Sequence, residues 1–242
     1  MKWFETWFDT PYYHILYKNR DYKEAEHFLT KLIDFLQLPK RSKIIDLACG
    51  KGRHSIFLNK MQFDVLGLDL SEQSIKHNKL FENSTLKFRV HDMRNPILHE
   101  KADAVFNLFT SFGYFENEED DLKVFRSVAN VLKENAYFVL DYLNPNFVRK
   151  NLEETSVVQK ENYVFNIRKK IEDHFIIKEI DFSDDGKDFH FVEKVKLCTP
   201  EKIDEYAKQT GFERIKIWGN YALENFDEEI SPRCINLFKL KK

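Results

Sequence analysis

Between Lys43 and Tyr142 the chain alternates short apolar runs with longer stretches of helical spacing. Lys43 to Asp46, Phe63 to Asp69, Leu86 to Val90, Ala102 to Asn107 and Ala136 to Tyr142 read as strands. Ala25, Phe28, Leu29, Leu32, Ile33 and Leu36 recur as one face of a helix that Asp21 can cap and Pro39 ends. A helix follows the glycines at 50 and 52, running to about Met61, and Ser71 caps another. Leu122, Val124, Phe125, Val128, Val131 and Leu132 mark a further helix behind the acidic run Glu116 to Asp121, which reads as a solvated helix start. Thr199-Pro200-Glu201 opens a late helix that Gly211 ends, and Phe212 to Trp218 and Cys234 to Leu240 follow as strands. Strictly alternating strands and helices predict an α/β fold with a doubly wound, mostly parallel sheet.

Two stretches break that order. Residues 3–17 carry Trp3, Phe4, Trp7, Phe8, Tyr12, Tyr13, Ile15, Leu16 and Tyr17, too apolar for a free tail, and read as a hook packed over the domain. From about Thr155 to Cys198 the period changes to that of strands, at 164–171, 175–182 and 189–197, with a turn at Asp184-Asp185-Gly186. Connections this short make an antiparallel meander inserted into the α/β order. Tyr163, Phe165, Ile167, Phe175, Ile177, Phe189 and Phe191 are expected to share its apolar face, with Lys169, Glu172, Lys178, Glu179, Lys187 and Lys194 opposite.

The chemistry concentrates where the first strand meets its helix, in Asp46-Leu47-Ala48-Cys49-Gly50-Lys51-Gly52-Arg53-His54-Ser55. Gly50 and Gly52 let backbone approach a ligand, and the helix start behind them offers unpaired N–H groups. The dinucleotide fingerprint G-x-G-x-x-G/A fits poorly, with only Ser55 as its third small residue. The pattern D-x-x-x-G-x-G instead resembles motif I of the class I S-adenosylmethionine (SAM) methyltransferases, with Ala48 where that family usually has its first glycine. A second acid, Asp69, closes the next strand, where a βαβ unit presents a carboxylate to ribose hydroxyls.

The resemblance covers Ile44 to Tyr142 and Thr199 to Leu240. It implies a Rossmann-like sheet of seven strands, mostly parallel with the last strand antiparallel, and SAM as cofactor. Asp46, Ala48, Gly50 and Gly52 would form the loop under the methionine part. Arg53 stands in the first helical turn, where a cation opposes the helix dipole, so it either meets a carboxylate, that of Asp46 or the cofactor's own, or is a solvated arginine. Asp69 with Leu70 would take the ribose, and Asp92 and Met93 the adenine. Asn107 and Phe109 would line the site after the fourth strand. Related enzymes fold an N-terminal segment over the cofactor mouth, which nominates Tyr13, Tyr17 and Arg20 for the acceptor pocket, with Tyr114 and Tyr142.

The resulting organisation is a helical cap at 1–38, a SAM-binding domain at 39–150 and 199–242, and an antiparallel insertion at 151–198 acting as lid or dimer element. The meander is expected to wall the acceptor pocket beside Asn107 and Tyr142, with Tyr12, Tyr13 and Tyr17 opposite; homodimerisation through it is the alternative. The activity implied is in-line transfer of a methyl to a small-molecule N or O nucleophile. A non-catalytic SAM-binding protein and an NAD-type oxidoreductase are the competing readings. His14, His54 and His91 are candidate bases, and no residue is nominated as catalytic.

Composition narrows the partners. The 242 residues carry a net charge of −2 with no basic half, which gives no electrostatic footprint for nucleic acid. The sequence after the fourth strand is Asn107-Leu108-Phe109-Thr110, not the [D/N]-P-P-[Y/F] of enzymes that methylate amino groups of nucleic acid bases. No apolar run is long enough to span a bilayer. Cys49, Cys198 and Cys234 are dispersed without C-x-x-C, so neither a disulfide framework nor a metal site is expected, and a cytoplasmic setting is.

Overall fold

The structure, a computed structural model, describes residues 2–17, 22–98 and 101–241. Asp21, the expected cap, and Arg20, nominated for the acceptor pocket, lie outside the described residues. The chain begins with two short helices, α1 (Trp3–Trp7) and α2 (Pro11–Leu16), and then α3 (Tyr22–Leu36). The alternating part runs β1 (Lys43–Leu47), α4 (Arg53–Lys60), β2 (Asp64–Asp69), α5 (Glu72–Asn78), β3 (Leu86–Val90), β4 (Ala102–Asn107), α6 (Glu118–Val131) and β5 (Leu132–Leu143). After α7 (Pro145–Lys150) come β6 (Thr155–Lys160), β7 (Tyr163–Glu172), β8 (Phe175–Asp184) and β9 (Lys187–Lys196). The chain closes with α8 (Pro200–Gln209), β10 (Phe212–Trp218) and β11 (Arg233–Leu240).

One sheet holds seven strands in the order β10-β11-β5-β4-β1-β2-β3. Its last strand, β11, lies antiparallel to both β5 and β10, while the β1, β2, β3, β4 and β5 pairings are parallel. The apolar runs are buried on both faces, as crossover helices require. Phe28, Leu29 and Leu32 of α3 and Leu58 of α4 cover Ile44, Val65 and Phe106 on one side. Phe125 and Val128 of α6 and Tyr206 of α8 cover Ile45, Leu66 and Phe138 on the other. Strand order reverses between β1 and β4, so the connections leaving their carboxyl ends turn to opposite faces of the sheet and open a crevice.

Strands β6 to β9 form a second, wholly antiparallel sheet. Its first strand, Thr155–Lys160, was not anticipated from the sequence. Nor was the parity of its faces. The β7–β8 hairpin turns on two residues, Asp173 and His174, both left-handed at φ 48 and 65, and pairs Glu172 with Phe175. That pairing sets even-numbered positions of β8 beside odd-numbered positions of β7. Ile180 and Phe182 therefore join Phe165 and Ile167 on the apolar face, while Phe175 and Ile177 fall on the other. Lys169, Lys178 and Lys187 share the apolar side by the same alternation.

That apolar face is covered by the N-terminal hook. Trp7 and Leu16 pack with Phe165, Ile167, Ile180 and Phe182 in one cluster. The insertion is also fixed at its exit. Lys196 pairs with Asp121 of α6, its backbone N–H donates to Gly113 O at 2.7 Å, and its carbonyl accepts the Tyr142 hydroxyl. Asp121 is thus buried and ion-paired, not the solvated helix start expected of that acidic run. Among the described residues no helix is long and apolar enough to cross a membrane.

Because Phe165 is fully buried in the cluster joining hook and insertion, Phe165→Ala should cost about 3–5 kcal/mol in urea denaturation. A loss below about 1 kcal/mol would show that the cluster does not share in the cooperative fold.

Candidate active site

At the end of β1 the backbone goes left-handed three times, at Ala48 (φ 61), Gly50 (φ 52) and Gly52 (φ 73), before α4 begins. Two hydrogen bonds fasten this loop to its neighbours. Gly50 N–H donates to Asp69 Oδ2 at 2.7 Å, and Asn78 Nδ2 of α5 donates to Gly50 O at 2.7 Å. Asp69 also accepts the Ser71 N–H at 2.8 Å, so one carboxylate joins the first and second strand ends. Burial pushes the Asp69 carboxyl above its ordinary range.

A cavity of about 560 Å³ opens over this corner. Its wall includes Ala48, Gly50, Arg53, Asp69, Leu70, Asp92, Met93 and Phe109 from the predicted cofactor set, and Tyr13, Tyr17 and Tyr114 from the predicted acceptor set. A Cβ built on Gly50 meets no atom within 4 Å, so its bare face looks into open space. Burial works to raise Asp92, but the hydrogen bonds from Arg94 outweigh it and hold the carboxyl below the usual range. His14, His54 and His91 all reach the wall. Burial lowers the His91 imidazole, despite a contact to Asn95 O that favours its charged form, so it is neutral at pH 7.

Four predicted site residues are elsewhere. Asp46 is buried and accepts the Ser55 hydroxyl at 2.6 Å, facing α4 and not the cavity. Gly52 is packed against the protein itself: a Cβ there would come within 3.0 Å of the Phe88 ring. Asn107 is fully buried and donates to Leu47 O at 2.9 Å, which clamps the ends of β1 and β4 together. Tyr142 is fully buried under Lys196, a structural support and not a wall. The insertion itself supplies no wall residue; it backs the hook, and the hook lines the cavity with Phe4, Phe8, Asp9, Tyr13, His14 and Tyr17.

Sequence reasoning missed two supports. Asp9 of the hook accepts the Ser71 hydroxyl at 2.6 Å and the Gln73 N–H at 3.2 Å, docking the hook on the start of α5. Asp141, at the end of β5, is fully buried and receives Phe109 N–H at 2.7 Å, Arg233 Nη2 at 2.6 Å and the Tyr221 hydroxyl at 3.2 Å. This holds Phe109 and Thr110 left-handed, at φ 59 and 60, and sets the Phe109 ring between His54 at 5.0 Å and Tyr221 at 4.8 Å. The polar end of β5 was the visible signal; its partner Arg233 is too far along the chain to be paired by eye.

A family model described as a methyltransferase domain matches residues 38–211. The chain belongs to that family. Similar proteins include a putative methyltransferase, YqeM, of Bacillus subtilis, 26% identical over 86% of this chain and 87% of its own. A glycine/sarcosine N-methyltransferase of Aphanothece halophytica is 33% identical, over 52% of this chain and 48% of its own length. Among solved structures, a SAM-dependent methyltransferase from Clostridium acetobutylicum superposes with a TM-score of 0.81 at 20% identity, over 96% of each chain. The protein is a SAM-dependent methyltransferase with the Rossmann-like fold of its neighbours.

The cavity of this methyltransferase fits its cofactor. It offers a bare glycine face, a strand-end carboxylate at Asp69, and the apolar side chains of Leu70 and Met93. Carboxylates on the wall (Glu5, Asp9, Asp69, Glu72 and Asp92) outnumber the cations Lys51 and Arg53, which suits a positively charged sulfonium.

Asp46 gives this site a pH signature. Burial pushes its carboxyl up to about 6, against the opposing Ser55 hydrogen bond. The native state keeps this proton up to about pH 6 while the unfolded chain has released it near 3.8, so the group's contribution to stability falls as pH rises through that window. Asp46→Asn mimics the protonated form. Relative to wild type, it should gain roughly 2–3 kcal/mol between pH 3.5 and pH 7.5 in chemical denaturation. A difference independent of pH would show that Asp46 titrates alike in the folded and unfolded chain, and a difference that shrinks with rising pH that the native carboxyl is ionised throughout.

Proposed function

We propose that this methyltransferase transfers the methyl group of SAM to a small amine enclosed between the hook and the strand ends. The observation that carries the reading is the wall itself, aromatic on the hook side and richer in carboxylates than in cations. Phe8 lies 4.9 Å from Tyr13 and 5.5 Å from Tyr114, and Tyr13 lies 4.9 Å from Tyr17, in one continuous belt. Aromatic faces and nearby carboxylates both attract cations, and an amine reaches the site mostly as one. Several relatives are N-methyltransferases by name. One is a dTDP-3-amino-3,4,6-trideoxy-alpha-D-glucopyranose N,N-dimethyltransferase of Streptomyces venezuelae, 30% identical over 51% of this chain and 52% of its own.

When bound, SAM supplies a methyl group on positively charged sulfur. The chain's own part is to hold, align and keep dry. Asp69 would hold the ribose hydroxyls, Gly50 would let the backbone approach the methionine part, and Met93 with Asp92 would border the adenine. Tyr13, Tyr17 and Tyr114 exclude water from the acceptor and restrict it to in-line approach, where alignment contributes most of the rate. An ammonium must shed one proton before it can attack, and the wall presents His14, His54 and the neutral His91 to receive it. The Asp141–Arg233 pair keeps Phe109 in place throughout.

Two measurements test this. Incubation with SAM and a panel of glycine, sarcosine, a dTDP-amino sugar, a catechol and a hydroxy acid should give methylated product on an amine nitrogen, read by mass spectrometry. Turnover of an oxygen nucleophile with every amine untouched would replace the reading. Asp69→Ala should weaken SAM binding by roughly ten- to a few hundred-fold in calorimetry, from charge-assisted bonds of about 1.5–3 kcal/mol each. Unchanged affinity in the folded variant would remove Asp69 from the cofactor site.

A further inference from the structure

The aromatic wall belongs to the hook, but the group that holds it lies on the insertion. Glu193 of β9 stands outside the cavity, with its side chain 15% exposed. Its Oε1 accepts the Trp7 Nε1–H at 2.7 Å, and both its oxygens lie 2.8 Å from the Tyr17 hydroxyl. Lys178, its cross-strand neighbour on β8, sits 3.6 Å from Glu193 Oε2 and 4.6 Å from the Tyr17 ring centroid. Lys178 Nζ also donates to the Tyr17 hydroxyl at 2.5 Å. One half-buried pair thus grips two hook aromatics, one from each short helix or its end.

We propose that Glu193 is the positioning residue that sets acceptor specificity, acting through Tyr17 and Trp7. The proposal rests on the enclosed-amine reading above. Its route is a run of ring contacts: Tyr17 meets Tyr13 at 4.9 Å, Trp7 meets Tyr13 at 5.7 Å, and Tyr13 meets Phe8 at 4.9 Å. Phe8 in turn meets Tyr114 across the cavity. Removing the carboxylate leaves the buried Trp7 N–H without its acceptor and takes the ion-pair partner from Lys178, so Trp7 must move toward water. Tyr17 and Tyr13 shift with it. The cofactor side hangs on other elements: Gly50, Asp69 and Met93 belong to the ends of β1 and β2 and the loop after β3, and the hook meets them at Asp9 and Ser71 while Glu193 grips Trp7 and Tyr17.

The test uses the full chain with Glu193→Ala and Glu193→Gln. Calorimetry reads SAM affinity, steady-state kinetics with sarcosine reads the acceptor, and hydrogen exchange reads the peptide 3–17. Glu193→Ala should raise the sarcosine KM by about tenfold or more, with SAM affinity held within about twofold and exchange in 3–17 accelerated. Glu193→Gln, which keeps an oxygen for Trp7, should recover part of each change. An unchanged KM, or SAM affinity falling in step with it, would overturn the proposal. If wild type leaves sarcosine untouched, the kinetics use whichever amine of the panel above is methylated; if none is, the amine reading fails separately and the acceptor-specificity proposal falls with it, while exchange in 3–17 still shows whether Glu193 holds the hook. Should Glu193→Ala not fold, Trp7→Phe removes one bond to the same carboxylate from a residue outside the cavity wall and carries the same comparison.

Discussion

The site depends on Asp69 being a carboxylate. A strand end leaves its last backbone groups without ladder partners, and a helix start leaves N–H groups unpaired. Asp69 meets both needs, accepting Gly50 N–H from the first corner and Ser71 N–H from the second. Ser71 then passes the connection outward, its hydroxyl donating to Asp9 of the hook. One chain of hydrogen bonds therefore links loop, cap and hook. The cost is visible in the carboxyl itself, which burial and the nearby Asp9 charge push upward. A cationic ligand in the cavity offsets that cost, because opposite charge favours the ionised form.

The opposite wall has its own anchor. Phe109 and Thr110 are held in a conformation that disfavours side chains bearing Cβ, and such strain persists only where surroundings over-determine it. Asp141 and Arg233 are those surroundings. Arg233 arrives on β11, the antiparallel strand, which pairs Arg233 with Leu143 and carries its guanidinium to Asp141. The reversed last strand is in this sense part of the site. It brings a cation to the end of β5 that a purely parallel sheet would not supply there.

These two anchors explain what the sequence could and could not disclose. Runs such as Ala102 to Asn107 are buried on both faces, so their apolar character alone marked them as strands of a covered parallel sheet. The glycine corner and Asp69 were legible because the chemistry demands those residue types there. Asp46 and Asn107 look equivalent to Asp69, each being polar at a strand end, yet successive side chains point to opposite faces. Asp46 turns to Ser55 and Asn107 to the Leu47 carbonyl. Only packing decides which strand-end group reaches the mouth. The face of β8 was lost for a similar reason: a hairpin of two residues swaps the parity of its strands, and nothing in the composition of Asp173-His174 fixes that length.

The relation of hook to insertion follows from helix length. Helices of 5 and 6 residues do not persist in water alone, since nucleation costs more than so few turns return. The hook needs a template, and the apolar face of the second sheet is that template, with Trp7 and Leu16 seated among Phe165, Ile180 and Phe182. A four-stranded sheet with one apolar face left bare would itself be a poor structure. Each part thus covers what the other cannot leave exposed, and the product is a rigid aromatic wall over the cavity. The glycine corner and Asp69 hang on the parallel strands, while the aromatic wall hangs on the hook and, behind it, the second sheet.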